Sequence, residues 1–329
     1  MSSYYIVTMP HVFKQFHFLI GVTGSVGGEA EKQYVQATYG AGVFSVPPFL
    51  LTCADARKED PALIAMEFYD EESSQLAHVK ELAMTKSQRV PVLIITGSPQ
   101  DAQRVRAAFC SMKGRAADTQ LFVEVVNGQS LEDKWAGIVD TATRPHASGS
   151  GWNITVTDYF GGRGHDYKVD DEDVDEAGGM LVIMMQVPDS KREWVQWRGR
   201  TARQDRRGQL ALILHRNDSF LAEHGGLVDA FLNGELTSAK LQERLLDERN
   251  AGAQRKLETY GEQQQRSMAV NELCDRFYAA VGGTGTDWPS TEGHRKLREY
   301  LHKNGSSPLI RDTVAMANEL GVGGSFPYA

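Results

Sequence analysis

Five short apolar runs between residues 90 and 220 constrain this chain more than any other feature: Val90–Thr96, Leu121–Val126, Ile154–Thr157, Met180–Met185 and Leu210–His215. Each is four to seven residues long and rich in apolar or β-branched residues, with few charges, so they read as strands with neither face in water. Helical patterns separate the earlier ones, at Gln100–Met112 and Leu131–Ala142, and Gly97-Ser98-Pro99 supplies a turn into the first. Strands buried on both faces and alternating with helices predict a parallel, doubly wound α/β lobe.

The flanks read differently. Upstream, Gly21–Gly28 is a glycine-rich turn, Glu29–Tyr39 has a helical pattern, and Val43–Val46 reads as a short strand stopped by Pro47-Pro48. Asp70–Ser74 opens a helix running to about Ser87, with acids in the first turn where they suit the helix dipole. Downstream, Leu236, Leu241, Leu245, Leu257, Tyr260, Leu273 and Phe277 recur at helical spacing, although Gly252 and Gly261 each weaken a single unbroken helix by about 1 kcal/mol. Gly282–Gly285 is a stop, residues 286–301 form a further helical pattern, and Gly321–Ala329 reads as a loose tail.

Composition removes several function classes. The 329 residues carry a net charge of −8, which does not favour nucleic acid in bulk. Three scattered cysteines, Cys53, Cys110 and Cys274, exclude a disulfide framework and any CxxC metal site, and fit a reducing compartment. No run approaches a membrane span and the N-terminus does not read as a secretory signal. The acidic stretch Asp170–Glu176 lacks a fixed metal-loop pattern and reads as solvated, and Trp194 and Trp197 read as packing residues.

Two stretches carry chemistry. Thr157–Asp166 places Gly161-Gly162-Arg163-Gly164-His165-Asp166 directly after a buried strand, where backbone can approach a ligand. Glycine turns serve geometry more often than binding, so this alone says little. About thirty residues later comes Gln196-Trp197-Arg198-Gly199-Arg200-Thr201-Ala202-Arg203. If that stretch is helical, Arg200 and Arg203 share a face, and two convergent guanidiniums suit a triphosphate.

Together the two stretches resemble motifs V and VI in the second RecA-like lobe of superfamily 2 helicase-type motors. Glu176–Ile183, Asp189–Arg192 and Gln196–Gly208 make the resemblance specific to the SecA preprotein translocase family. Phe16–Ser25 is similar to the segment that ends that family's first lobe with Thr-Gly-Thr, and Ala253–Glu258 to the start of its helical scaffold. The family carries Thr at the position of His165, and Gln-Gly-Asp-Pro-Gly where this chain has Gln204–Gly208.

The resemblance implies a RecA-like parallel-sheet lobe followed by a mainly helical region. Residues 1–60 would be the remnant of a first nucleotide-binding lobe, 61–220 the second lobe, 221–285 a scaffold-like segment and 286–329 a helix and tail. It implies ATP as cofactor, with Arg200 and Arg203 as arginine fingers, Gly162, Arg163, Gly164, Asp166 and Gln196 lining the nucleotide side, and no metal ligand of its own. No GxxxxGK[ST] and no Asp-Glu pair after an early buried strand occur in the sequence, so Mg²⁺ would be held by a first lobe and whether the chain alone is an enzyme stays open. The implied partners are that lobe or a full-length motor, a preprotein and a membrane channel; the implied location is bacterial cytoplasm or plastid stroma, peripheral at the membrane. A superfamily 2 nucleic-acid helicase fragment and a non-catalytic interaction module are the alternatives.

Overall fold

The structure, a computed structural model, describes residues 9–13, 16–46, 61–112, 114–123, 125–126, 129–130, 132–162, 165–203 and 206–281. In chain order the helices and strands are α1 (Met9–Phe13), α2 (Glu29–Tyr39), β1 (Ala62–Tyr69), α3 (Glu72–Lys86), β2 (Val92–Ile95), α4 (Pro99–Cys110), β3 (Gln120–Phe122), β4 (Val125–Val126) and β5 (Gln129–Ser130). They continue with α5 (Glu132–Ala142), β6 (Ile154–Thr157), α6 (Glu172–Glu176), β7 (Leu181–Met184), α7 (Lys191–Arg198), β8 (Gln209–His215), α8 (Ser219–Glu223), α9 (Gly225–Leu232) and α10 (Ser238–Val281).

Six strands form one sheet in the order β1-β8-β7-β2-β6-β3, and every pairing within it is parallel. The parallel α/β sheet expected from the apolar runs is therefore present, in the RecA-like arrangement that the resemblance implies. β2, β6, β7 and β8 are buried on both faces. Leu93, Ile95, Val182, Met184, Leu210, Leu212 and Leu214 enter one core with Trp194 and Trp197 of α7 and Leu241, Leu245 and Leu246 of α10. The alternate residues Val92, Ile94, Leu181, Ile183, Ala211 and Ile213 enter the other, against Val79 of α3 and Val105 and Phe109 of α4. Two-sided burial removes the polar alternation of a solvated sheet, which is why these runs are continuous in sequence.

Helix starts follow their local chemistry. Ser98 caps α4 by accepting the Asp101 N–H at 3.1 Å, with Pro99 at the first helical position. Ser190 caps α7 in the same way through the Glu193 N–H, also at 3.1 Å.

Three local expectations are corrected. Val43–Val46 is not a strand: it lies in irregular backbone with Phe44 87% exposed, because no partner strand covers it among the described residues. Between residues 90 and 220 the sequence marks five strands, and the sixth strand of the sheet, β1, lies outside that span, where no strand is expected. Its Ala-Leu-Ile-Ala-Met-Glu run suits a helix as well as a strand, and the parallel pairing with β8 decides it. Finally α10 runs unbroken for 44 residues through Gly252 and Gly261. Two glycines among so many strong helix formers cost less than the neighbouring turns supply.

The described residues fall into two compact units, one within 24–28 and 44–251 that holds the sheet, and one within 9–23, 29–43 and 252–281. In the second, the Phe13 ring meets Tyr39 edge-on at 5.9 Å. The expected helix at 286–301 and the tail lie outside the described residues. No helix among the described residues is long and apolar enough to cross a membrane.

Candidate functional site

Helix α7 brings the arginines to the sheet. Trp197 is fully buried and Trp194 nearly so, so one face of α7 is fixed on the core. The helix stops at Arg198, with Gly199 as its cap. Arg200 and Arg203 thus lie in the turn beyond it and do not share a helical face, which corrects the expectation drawn from their spacing. The Arg200 N–H bonds the Trp197 carbonyl at 3.1 Å and the Thr201 N–H bonds that of Arg198 at 3.4 Å, tightening the exit.

The arginines converge nonetheless. Arg200 donates from Nε to the Gln196 carbonyl at 2.9 Å and from Nη1 to the His165 carbonyl. Arg203 donates from Nε to the Gly199 carbonyl at 2.5 Å, and its Nη1 is paired with Asp166 Oδ1 at 2.5 Å. Both side chains therefore end on residues 165–166, the far end of the glycine turn. Arg200 is only 6% exposed, whereas the Arg203 side chain is 34% exposed. Burial first, and the neighbouring Arg203 second, pull the Arg200 pKa down to about 10, so the guanidinium stays charged at neutral pH. Arg203 pairs with the Asp166 carboxylate while Arg200 donates only to neutral carbonyls, and that surplus of positive charge suits an anion.

The glycine turn is built by packing. Asp158 is buried after β6 and its Oδ1 accepts the Phe160 N–H at 2.9 Å. A Cβ on Gly161 would collide with the Thr157 hydroxyl and with Phe122, and one on Gly162 would lie 2.6 Å from the Trp197 indole. The buried Tyr167 hydroxyl donates to the Gly161 carbonyl at 3.1 Å. His165 stands edge-on to Phe122 and Phe160, and burial, followed by the charge of Arg200, lowers its pKa. Arg163 and Gly164 lie outside the described residues. Gln196 contributes its backbone carbonyl, while its Oε1 is buried with no hydrogen-bond partner among the described residues.

Other features were not legible in the sequence. The Thr201 hydroxyl donates to the Met180 carbonyl at 2.7 Å and anchors the arginine turn just ahead of β7. The acidic stretch is not simply a solvated loop: Asp171 caps α6 and Val174 is fully buried. Asp175 Oδ1 also accepts the Arg207 N–H at 2.6 Å, tying the stretch to the end of the arginine turn. Among the described residues no three His, Cys, Asp or Glu side chains are grouped to hold a metal.

Ala202, between the two arginines, has φ +52°, in the left-handed region where an alanine is strained by about 1–2 kcal/mol. Glycine relieves that strain but loses about 0.5–1 kcal/mol in unfolded-chain entropy. Ala202→Gly should therefore raise the unfolding free energy by up to about 1 kcal/mol, read from the urea midpoint at unchanged slope.

No family model matches the chain. Curated relatives do. It is 30% identical over 291 residues to Protein translocase subunit SecA 2 of Rhodopseudomonas palustris (strain BisA53), covering 84% of this chain and 32% of that protein. It is 30% identical over 223 residues to Protein translocase subunit SecA of a Nitratiruptor species, covering 67% of this chain and 23% of that one. Over 218 residues it is 30% identical to Protein translocase subunit SecA 2 of Pediococcus pentosaceus, covering 66% and 25%. The chain thus spans about a quarter to a third of the length of these relatives. A parallel six-stranded sheet and similarity along most of the chain converge on one conclusion: the chain belongs to the SecA protein translocase family.

Proposed function

We propose that this chain acts as the second nucleotide-binding lobe of a SecA-type motor, donating Arg200 and Arg203 to the γ-phosphate of ATP held by a first lobe. On this reading residues 61–220 form the lobe, 1–60 the end of the first lobe and 221–285 the start of a helical scaffold. The observation that carries it is the convergence of the two guanidiniums on neighbouring residues, Arg200 on the His165 carbonyl and Arg203 on the Asp166 carboxylate. Bound ATP supplies the phosphoryl group that is transferred to water. The residues fit a polyphosphate: Arg200 is held in place by two carbonyls, and Arg203, partly exposed, has nitrogens to spare beyond Asp166.

Arg200 is oriented before charge develops, so no reorganisation is spent at the moment of reaction. Arg203 exchanges Asp166 for phosphate oxygens as the lobes close, which ties closure to the presence of the anion. On this reading Gly162, Asp166 and Gln196 line the nucleotide side of the cleft, and the family motif assigns Arg163 and Gly164, which lie outside the described residues, to the same role. A preprotein and a membrane channel are the partners this role requires, and the cytoplasmic or stromal membrane face is where it operates.

The sequence offers no lysine-bearing phosphate loop, so the purified chain should hydrolyse ATP no faster than buffer. A separately expressed first lobe from one of the translocases named above should restore turnover when mixed with it. Robust turnover by the chain alone overturns the proposal. Salt-sensitive binding of single-stranded RNA, lost when Arg206 and Arg207 are neutralised, would transfer the chain to the helicase class.

A further inference from the structure

We infer that Arg249 of α10 is a positioning residue for the arginine turn: it grips the amino-terminal cap of α7, so that movement of α10 is delivered to Arg200 and Arg203 at the other end of that helix. The inference rests on the proposed reading of these two arginines as the anion-holding pair.

Arg249 makes three different contacts. Its Nη1 pairs with Asp189 Oδ1 at 3.0 Å, its Nη2 donates to the Val187 carbonyl at 3.1 Å, and its guanidinium carbon lies 3.7 Å from the centre of the Phe220 ring. The side chain is 20% exposed, and the buried Nε has no hydrogen-bond partner among the described residues. A half-exposed arginine on a surface helix contributes little through one ion pair. Here a planar cation is held on an aromatic face while its fork serves a carboxylate and a carbonyl on one segment, a geometry lysine cannot copy.

That segment is the cap of α7. The Asp189 N–H bonds Glu193 Oε2 at 2.9 Å, Ser190 caps the helix, and the Glu193 side chain is buried. From this cap α7 runs eight residues, about 12 Å, to Gly199. Its last turn carries the Gln196 carbonyl that holds Arg200 Nε, and Gly199 carries the one that holds Arg203 Nε. Trp194 and Trp197 share a core with Leu241, Leu245 and Leu246 of α10, so the helix moves as a packed rod and not as a hinge. Arg249 is thus the polar grip at one end of a short rod whose other end positions both guanidiniums, and α10 itself continues to Val281.

The test uses the full chain with Asp189→Asn, whose carboxylate is 65% exposed, and Arg249→Ala. Amide hydrogen exchange and tripolyphosphate affinity are read for both. The amides of Gly199, Arg200 and Thr201 should exchange at least about fivefold faster in both variants, with β2 unchanged, and tripolyphosphate should bind more weakly by a similar factor, at the low end of typical coupling between sites. Exchange at 199–201 within about twofold of the parent in both variants overturns the inference. So does faster exchange spread uniformly over the sheet in Asp189→Asn, because that is global destabilisation; if Arg249→Ala alone behaves so, Asp189→Asn decides. If the exchange effect appears but the unsubstituted chain does not bind tripolyphosphate, the coupling stands and the nucleotide reading fails.

Discussion

Replacing Arg200 by alanine, in the chain mixed with a first lobe, is expected to cut ATP turnover by about a thousandfold or more, the range typical of an arginine finger. Charge is the reason. Arg203 has a carboxylate, Asp166, against it, whereas Arg200 donates to two neutral carbonyls, those of Gln196 and His165. A buried guanidinium bonded to neutral carbonyls keeps its charge available, and that charge is worth most where negative charge develops in a site closed to water. Folding should suffer far less. Alanine strands two carbonyls but also removes a costly buried charge, so the unfolding free energy should fall by about 1–3 kcal/mol. Arg200→Lys should fail almost as badly, since one ammonium cannot serve both carbonyls and a phosphoryl oxygen. Single-turnover hydrolysis measures the step directly. A rate within about tenfold of the parent, with fold intact, would remove Arg200 from the chemistry.

What could be read in advance, and what could not, follows from the range of the forces involved. β2, β6, β7 and β8 were legible because burial on both faces writes itself as an apolar run, with no partner needed to recognise it. β1 was not, because Leu63 and Ile64 remain exposed and its conformation depends on β8 far along the chain. The two arginines were legible as a pair from their spacing and the family resemblance, but the reason for their convergence was wrong. Gly199 ends the helix, and it is the His165 carbonyl and the Asp166 carboxylate that gather them. Neither contact leaves a local trace, since each joins residues more than thirty positions apart. The grip of Asp175 on the Arg207 backbone was invisible for the same reason.

The glycine turn allows the sharpest separation of packing from ligand binding. Trp197→Ala should cost about 3–5 kcal/mol, because a fully buried indole is removed from between the sheet and the turn. Trp197→Phe should cost far less, since the indole Nε1 has no hydrogen-bond partner among the described residues and losing it strands no acceptor. Gly162→Ala is the informative partner. Gly162 is not in the left-handed region, so its substitution carries no backbone penalty, and the nearest obstacle to a Cβ is the Trp197 ring at 2.6 Å. Alanine there must displace the indole or the turn, at a cost of about 1–3 kcal/mol. Trimming the obstacle should return most of it: in Trp197→Leu the added Gly162→Ala should be nearly free, giving a coupling of about 1–2 kcal/mol in the double-mutant cycle. A glycine kept for close approach of phosphate predicts something else. Stability would recover in the double variant while nucleotide affinity would not, so chemical denaturation and tripolyphosphate titration of the same four proteins assign Gly162 to the core, to the ligand, or to both.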